Sequence, residues 1–128
     1  MFRTVLIAAT LAGGIGAPPA MAQGDAEAGE TVFNRQCRAC HQVGEGARNT
    51  AGPALTGVLD REIASTEGFR YSPAFTAKKE EGFVWTEEAL TEYLANPRAY
   101  IPGNRMAFAG LRSDEDIANM IAYLATFE

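Results

Sequence analysis

Cys37-Arg38-Ala39-Cys40-His41 constrains this chain more than any other stretch of it. Two thiols three positions apart, with an imidazole directly after the second, form the spacing that attaches a c-type haem. Each thiol can add to a vinyl group of the porphyrin, which leaves His41 held where its ring can bind the iron. The chain has no other cysteine and no other histidine, so every residue suited to this chemistry stands in one pentapeptide. A CxxC pair also serves thiol–disulfide exchange, but that chemistry belongs with a βαβ pattern around the motif. No such pattern flanks it here.

A chain of 128 residues allows one domain, and its first stretch stands outside that domain. Arg3 gives a positive start, Val5 to Ile15 is an apolar run broken by Gly13 and Gly14, and Ala20-Met21-Ala22 supplies a small-x-small cleavage site. The run is shorter than the roughly 20 apolar residues a membrane span takes. Residues 1–22 therefore read as a secretory signal peptide cleaved after Ala22, and 23–128 as a single domain starting at Gln23. Stable membrane insertion is not expected after cleavage. The periplasm is the expected location, and export fits the cysteines, because haem attachment to thiols is completed outside the bacterial cytoplasm.

The whole chain carries a formal charge of −5, and removing 1–22 takes away Arg3 and no acid, leaving −6. That balance argues against nucleic acid and anionic membrane as general partners.

Residues 25 to 37 predict a helix with a narrow apolar stripe at Ala26, Gly29, Phe33 and Cys37. Asp25, Glu27 and Glu30 lie favourably against its dipole. Gly29 inside a helix costs about 1 kcal/mol against alanine, a cost that a close helix crossing would justify. Residues 42 to 57 and 60 to 82 are rich in loop formers, with a short helix over Ser72 to Lys79 in the second. Thr86 caps a further helix through Asn96, ended by Pro97. Residues 100 to 110 return to loop. Ser113 and Asp116 form a capping-box pair before a stripe of Ile117, Met120, Ile121 and Leu124. The expectation is an all-α fold, with no alternation long enough to require a sheet.

His41 can fill one axial position of an iron, and the opposite ligand separates carrier from catalyst. Without a second histidine, bis-histidine ligation within the chain is excluded. Met1 and Met21 leave with the signal peptide, and Met120 lies on the apolar stripe of the last helix. Elimination points to Met106, in a Pro- and Gly-rich loop beside Ala107 and Phe108. The alternative is a methionine that only packs nearby and leaves an open iron, the site of a haem peroxidase or a nitric-oxide-binding protein.

With these residues in place, the sequence resembles the class I cytochromes c, and specifically the bacterial cytochrome c2 and c550 group close to mitochondrial cytochrome c. The resemblance covers nearly all of residues 24 to 128. It runs through Gly24-Asp25, Gly29 and Phe33, the haem motif, Gly52-Pro53-Ala54-Leu55-Thr56-Gly57, Gly68-Phe69-Arg70-Tyr71, Trp85 and Tyr93-Leu94-Ala95-Asn96-Pro97. Residues 100 to 106, ending in Asn104-Arg105-Met106, and Phe108-Ala109-Gly110 complete it.

The resemblance implies the cytochrome c fold: terminal helices that cross, and loops wrapped around one covalently bound haem c. Cys37 and Cys40 would form its thioethers, with His41 and Met106 as axial ligands. It further implies that the Pro53 carbonyl accepts a hydrogen bond from His41, and that Arg61, Tyr71 and Trp85 serve a haem propionate. Tyr93 would stand beside the methionine sulfur and Phe108 near the exposed haem edge. Gly29 and Phe33 would pack on Met120 and Tyr123.

Relatives in this group often carry a ring of lysines around the haem edge. Here only Lys78 and Lys79 occur, and Gln36 stands where a lysine commonly precedes the motif. Arg38, Arg48, Arg98 and Arg105 are the candidate substitutes. Glu80, Glu81, Glu87, Glu88 and Asp114 to Asp116 load other segments with negative charge. The segment from Tyr71 to Trp85 is also a few residues longer than in the mitochondrial protein.

The expected function is a monomeric one-electron carrier rather than an enzyme. It would run between a quinol-oxidising complex of the cytochrome bc1 type and a terminal oxidase, a photosynthetic reaction centre or another periplasmic redox enzyme.

Overall fold

A computed structural model of the chain describes residues 24–128 together with Gly13 and Gly14. Apart from those two glycines, the expected signal peptide, residues 1–22, lies outside the described residues, as does its cleavage site. Two helices far apart in sequence set the frame. Helix α1 spans Ala26–Gln36 and starts where the Asp25 carboxylate accepts from Glu27 N and Ala28 N at 2.9 and 3.2 Å. Three helices follow, α2 at Pro73–Glu80, α3 at Glu87–Ala95 and α4 at Pro97–Tyr100, before α5 at Asp114–Ala125. Ser113 caps α5 by accepting from Asp116 N at 3.3 Å, and three acidic residues occupy its first turn.

The α1–α5 crossing explains Gly29. A Cβ there would overlap the Asn119 carbonyl and the Tyr123 Cβ, so the two backbones approach as only glycine allows. The neighbours of Gly29 are thus Asn119 and Tyr123, while Met120 is 1% exposed in the core. The Phe33 and Tyr123 rings meet at 5.6 Å. Asp25 N donates to the buried Asn119 Oδ1 at 2.7 Å, which ties the start of α1 to α5.

Between the terminal helices the chain is mostly loop, with caps where the sequence marks them. Ser72 accepts from Phe75 N at 3.2 Å to start α2, one residue later than expected. Thr86 accepts from Ala89 N at 3.1 Å to start α3. Pro97 ends α3 as expected, but it also opens the one-turn helix α4, where Asn96 Oδ1 accepts from Ala99 N at 3.2 Å. Proline at the first helical position sacrifices no hydrogen bond. Tyr100 is therefore helical, and the loop before α5 begins at Ile101.

Among the described residues the one β-bridge joins Glu62 and Val84 in antiparallel sense. Bonds from Ile63 N to Phe83 O at 3.0 Å and from Trp85 N to Arg61 O at 2.9 Å extend it. The bridge fastens the Arg61 loop beside Trp85. One core runs from Val32 and Phe33 through Trp85, Leu90, Tyr93 and Ile101 to Met120 and Leu124.

Candidate haem-binding site

Helix α1 delivers the pentapeptide. Cys37 caps its end through Cys37 N to Phe33 O at 2.8 Å, and both Cys40 N and His41 N then bond to Cys37 O at 3.1 and 3.0 Å. The motif is thereby folded into one turn. Both thiols are free, Cys37 half-buried and Cys40 exposed. Burial, with Cys40 alongside, pushes the Cys37 thiol up to about 11.

His41 Nδ1 lies 2.8 Å from Pro53 O. A carbonyl only accepts, so Nδ1 carries the proton and Nε2 keeps the lone pair a metal requires. Burial lowers the pKa of the ring, against the smaller opposing pull of the carbonyl, and the neutral form is the ligating one. Gly52 closes on the ring from the side, where a Cβ would overlap it. Gly52 N in turn bonds to Cys40 O at 2.8 Å.

Met106 sits in the loop between α4 and α5, half-buried against the core. Asn104 shapes that loop. Its Oδ1 accepts from Met106 N at 2.9 Å, and its Nδ2 donates to Pro97 O and Ile101 O, both at 2.8 Å. Tyr93 Oη donates to Met106 Sδ at 3.7 Å. The Tyr93 ring is 6% exposed, and burial holds its phenol protonated well above the usual tyrosine range. Phe108 is half-buried two residues on, with its N–H bonded to Met106 O at 2.9 Å.

A third group gathers around Arg61. Its Nη1 donates to Thr56 O at 2.8 Å and its Nη2 to Thr66 Oγ1 at 2.9 Å. Thr66 N donates to the Tyr71 hydroxyl oxygen at 3.1 Å, so the Tyr71 proton stays available for another acceptor. Trp85 packs against Phe83, Tyr93 and Phe75 at ring distances of 5.1, 4.9 and 6.1 Å.

The sequence-predicted residues thus fall into three pieces: His41 with Pro53 behind the haem motif, Met106 with Tyr93, and Arg61 with Tyr71 through Thr66. Trp85 joins the second to the loop that carries the third. Phe75, on α2, links Tyr71 to Trp85 and Tyr93 at ring distances of 6.0, 6.1 and 6.1 Å. Sequence reasoning assigned no role to Phe75, Thr66 or Gly52. Asn104 stood in the recognised segment, and its position two residues before Met106 was the signal for a turn-making amide.

Arg61 Nε is the one buried side-chain polar atom without a partner among the described residues. An unpaired buried donor costs about 1–3 kcal/mol, so the site is short of an acidic acceptor there. A porphyrin with carboxylate arms meets that need, and two free thiols at the attachment spacing sit at the end of α1. The residues present fit a haem c.

Comparisons with known proteins agree with this reading. Residues 24–124 match the family model described as cytochrome C oxidase, cbb3-type, subunit III. Cytochrome c2 of Afifella marina is 52% identical over 101 residues, covering 79% of this chain and 81% of that protein. Cytochrome c-550 of Nitrobacter winogradskyi is 44% identical, covering 82% and 93%. The solved cytochrome c2 of Rhodospirillum centenum superposes with a TM-score of 0.77 at 37% identity, covering 81% of this chain and 98% of that one. With the crossing of α1 and α5 and the loops between them, these matches place the chain among the class I cytochromes c, in the cytochrome c2 group, as a carrier of electrons on one covalent haem c and not an enzyme.

Proposed function

We propose that the chain is a periplasmic shuttle. It takes one electron from a quinol-oxidising complex of the cytochrome bc1 type and delivers it to a terminal oxidase, a photosynthetic reaction centre or another periplasmic redox enzyme. In this reading residues 1–22 are removed on export and the remaining domain works as a monomer. Among the described residues no helix is long and apolar enough to cross a membrane.

A haem held by thioethers to Cys37 and Cys40 would supply one-electron ferric–ferrous chemistry. His41 would bind the iron through Nε2, with Pro53 fixing the ring's tautomer and direction. Met106 would be the second protein ligand, a thioether that favours ferrous iron and denies the site to oxygen or peroxide. Arg61 Nε and the Tyr71 hydroxyl would receive a propionate, with Trp85 walling that side. Phe108 would border the edge through which electrons pass.

The observation that carries this reading is the Tyr93–Met106 contact of 3.7 Å. A phenol that donates to one lone pair of the sulfur fixes the thioether and leaves the other lone pair for the iron. The deciding experiment is the ferric absorption spectrum at neutral pH. A sulfur-to-iron charge-transfer band in the far red is expected, and its absence would sink the closed-site reading in favour of an open iron.

Docking is proposed to use arginines. Arg38, Arg48, Arg98 and Arg105 are all exposed, and the one salt bridge among the described residues joins Lys78 to Glu81 at 3.2 Å. Among the described residues none of the four guanidinium groups is in an ion pair, so each can meet an acidic partner.

A further inference from the structure

The last turn of the chain reaches back to the loop behind His41. Phe127 O accepts from Gly57 N at 2.6 Å. Its ring lies over Gly44, where even a Cβ would come within 3.3 Å of it. The ring also meets Tyr123 edge-on at 5.0 Å, and Tyr123 meets Phe33 at 5.6 Å. Phe127 therefore joins the α1–α5 crossing to both strands of the loop over residues 42 to 57.

That loop carries Pro53. Thr56 Oγ1 accepts from Gly44 N at 2.9 Å and donates to Gly44 O at 3.1 Å, while Leu55 N bonds to Gln42 O at 2.9 Å. These bonds make residues 42–44 and 55–57 one unit, with Pro53 on the return limb. The loop is not backed by the helices throughout: an open cleft of about 240 Å³ lies between Phe33, Tyr123, Val43 and Ala47. Phe127 makes the connection that the cleft interrupts.

We infer that Phe127 is a positioning residue for His41, acting through Gly44, Thr56 and Gly57 to hold the Pro53 carbonyl on the Nδ1 proton. The inference rests on His41 as an axial ligand. A carbonyl firmly placed on Nδ1–H makes the ring a more basic ligand, which favours ferric iron. Loosening it makes the iron easier to reduce.

The test is made on the haem-loaded protein with Phe127→Ala and Phe127→Leu. Proton NMR reads the exchange of the His41 Nδ1 proton with solvent, and a redox titration reads the potential. In the wild type the ring protons must carry the shifts of an iron-bound imidazole; if they do not, the ligand assignment itself is wrong. Given that signature, Phe127→Ala is expected to exchange the Nδ1 proton about tenfold faster, a change equivalent to about 1.4 kcal/mol, and to raise the potential. Phe127→Leu, which keeps an apolar side chain over Gly44, should recover most of both effects. If Phe127→Ala does not fold, Phe127→Val carries the same reading. A variant that is only less stable, with wild-type exchange and potential, overturns the inference and leaves Phe127 as ordinary packing.

Discussion

Tyr93 and Met106, thirteen residues apart in the chain, meet through a hydroxyl and a thioether sulfur 3.7 Å apart. Asn104 fixes the backbone on the Met106 side, and Trp85 and Phe75 fix the ring on the Tyr93 side. The hydrogen bond draws electron density from the sulfur. Replacing Tyr93 with Phe keeps the ring and removes only the donor. As the proposed iron ligand, Met106 should then be a stronger donor to ferric iron, and the reduction potential should fall. Stability should change by no more than about 1.5 kcal/mol, the usual net worth of one hydrogen bond. A redox titration beside a denaturant curve separates the two effects, and an unchanged potential would mean that the phenol does not act on the sulfur.

Met106→Ala probes the proposed ligand itself. The far-red band should vanish, and added imidazole or cyanide should bind faster and more tightly than to the wild type. The loop should keep its course, because Asn104 bonds to backbone atoms and not to the thioether. Retention of the band in Met106→Ala would place another sulfur on the iron.

Local chemistry made α1, α3 and α5 readable in the sequence: a capping side chain at each start and an apolar stripe along each body. The one-turn helix α4 was not readable, because Pro97 serves both as a terminator of α3 and as a first helical residue. The haem motif stood out because two thiols and an imidazole at that spacing have few other uses. Pro53 and Tyr93 are different: each has its partner at least twelve residues away, so only resemblance could single them out. Thr66 acts through its backbone N–H and a hydroxyl turned to Arg61, and Phe127 through a carbonyl and its ring. Neither leaves a composition or spacing signal.

The close approach at Gly29 yields a prediction opposite in sign to helix propensity. Alanine should favour an isolated helix by about 1 kcal/mol over glycine. Here the added methyl meets the Asn119 carbonyl, a backbone atom that cannot swing aside. Gly29→Ala should therefore destabilise the holo protein by about 1–3 kcal/mol, the usual cost of overpacking. Guanidinium unfolding followed by tryptophan fluorescence measures it through Trp85. Equal or greater stability in the variant would show that α1 and α5 can separate at no cost.

The same helix pair sets a pH effect. Burial, with the charge of Glu30 on α1, raises the pKa of the Tyr123 phenol on α5. The folded state holds that proton more tightly than the unfolded chain, whose tyrosines ionise near pH ~10. The contribution to stability is complete below that pH and is lost as the pH rises through the folded value. Glu30→Gln should lower the Tyr123 pKa, seen by following its ring protons in an alkaline NMR titration. Added salt should shrink the difference between variant and wild type, because exposed charges are screened. A Tyr123 titration indifferent to Glu30 would leave desolvation as the sole cause.

The described residues hold sixteen carboxylate side chains and ten Lys and Arg side chains, yet one salt bridge, so opposite charges are largely kept apart. Arg98 lies on α4, and Arg105 directly precedes Met106. Arg98 precedes, and Arg105 lies within, the loop proposed to close the iron site, where an incoming acidic surface would be felt. Reversing either charge to Glu should slow electron transfer with the physiological partner at low ionic strength and leave the potential unchanged. The deficit should fade as salt is added, because steering charges act on encounter more than on the bound complex. Stopped-flow kinetics with a quinol-oxidising complex and with an oxidase, each across a salt series, makes the measurement. If neither reversal alters either rate at low salt, these arginines do not form the docking edge.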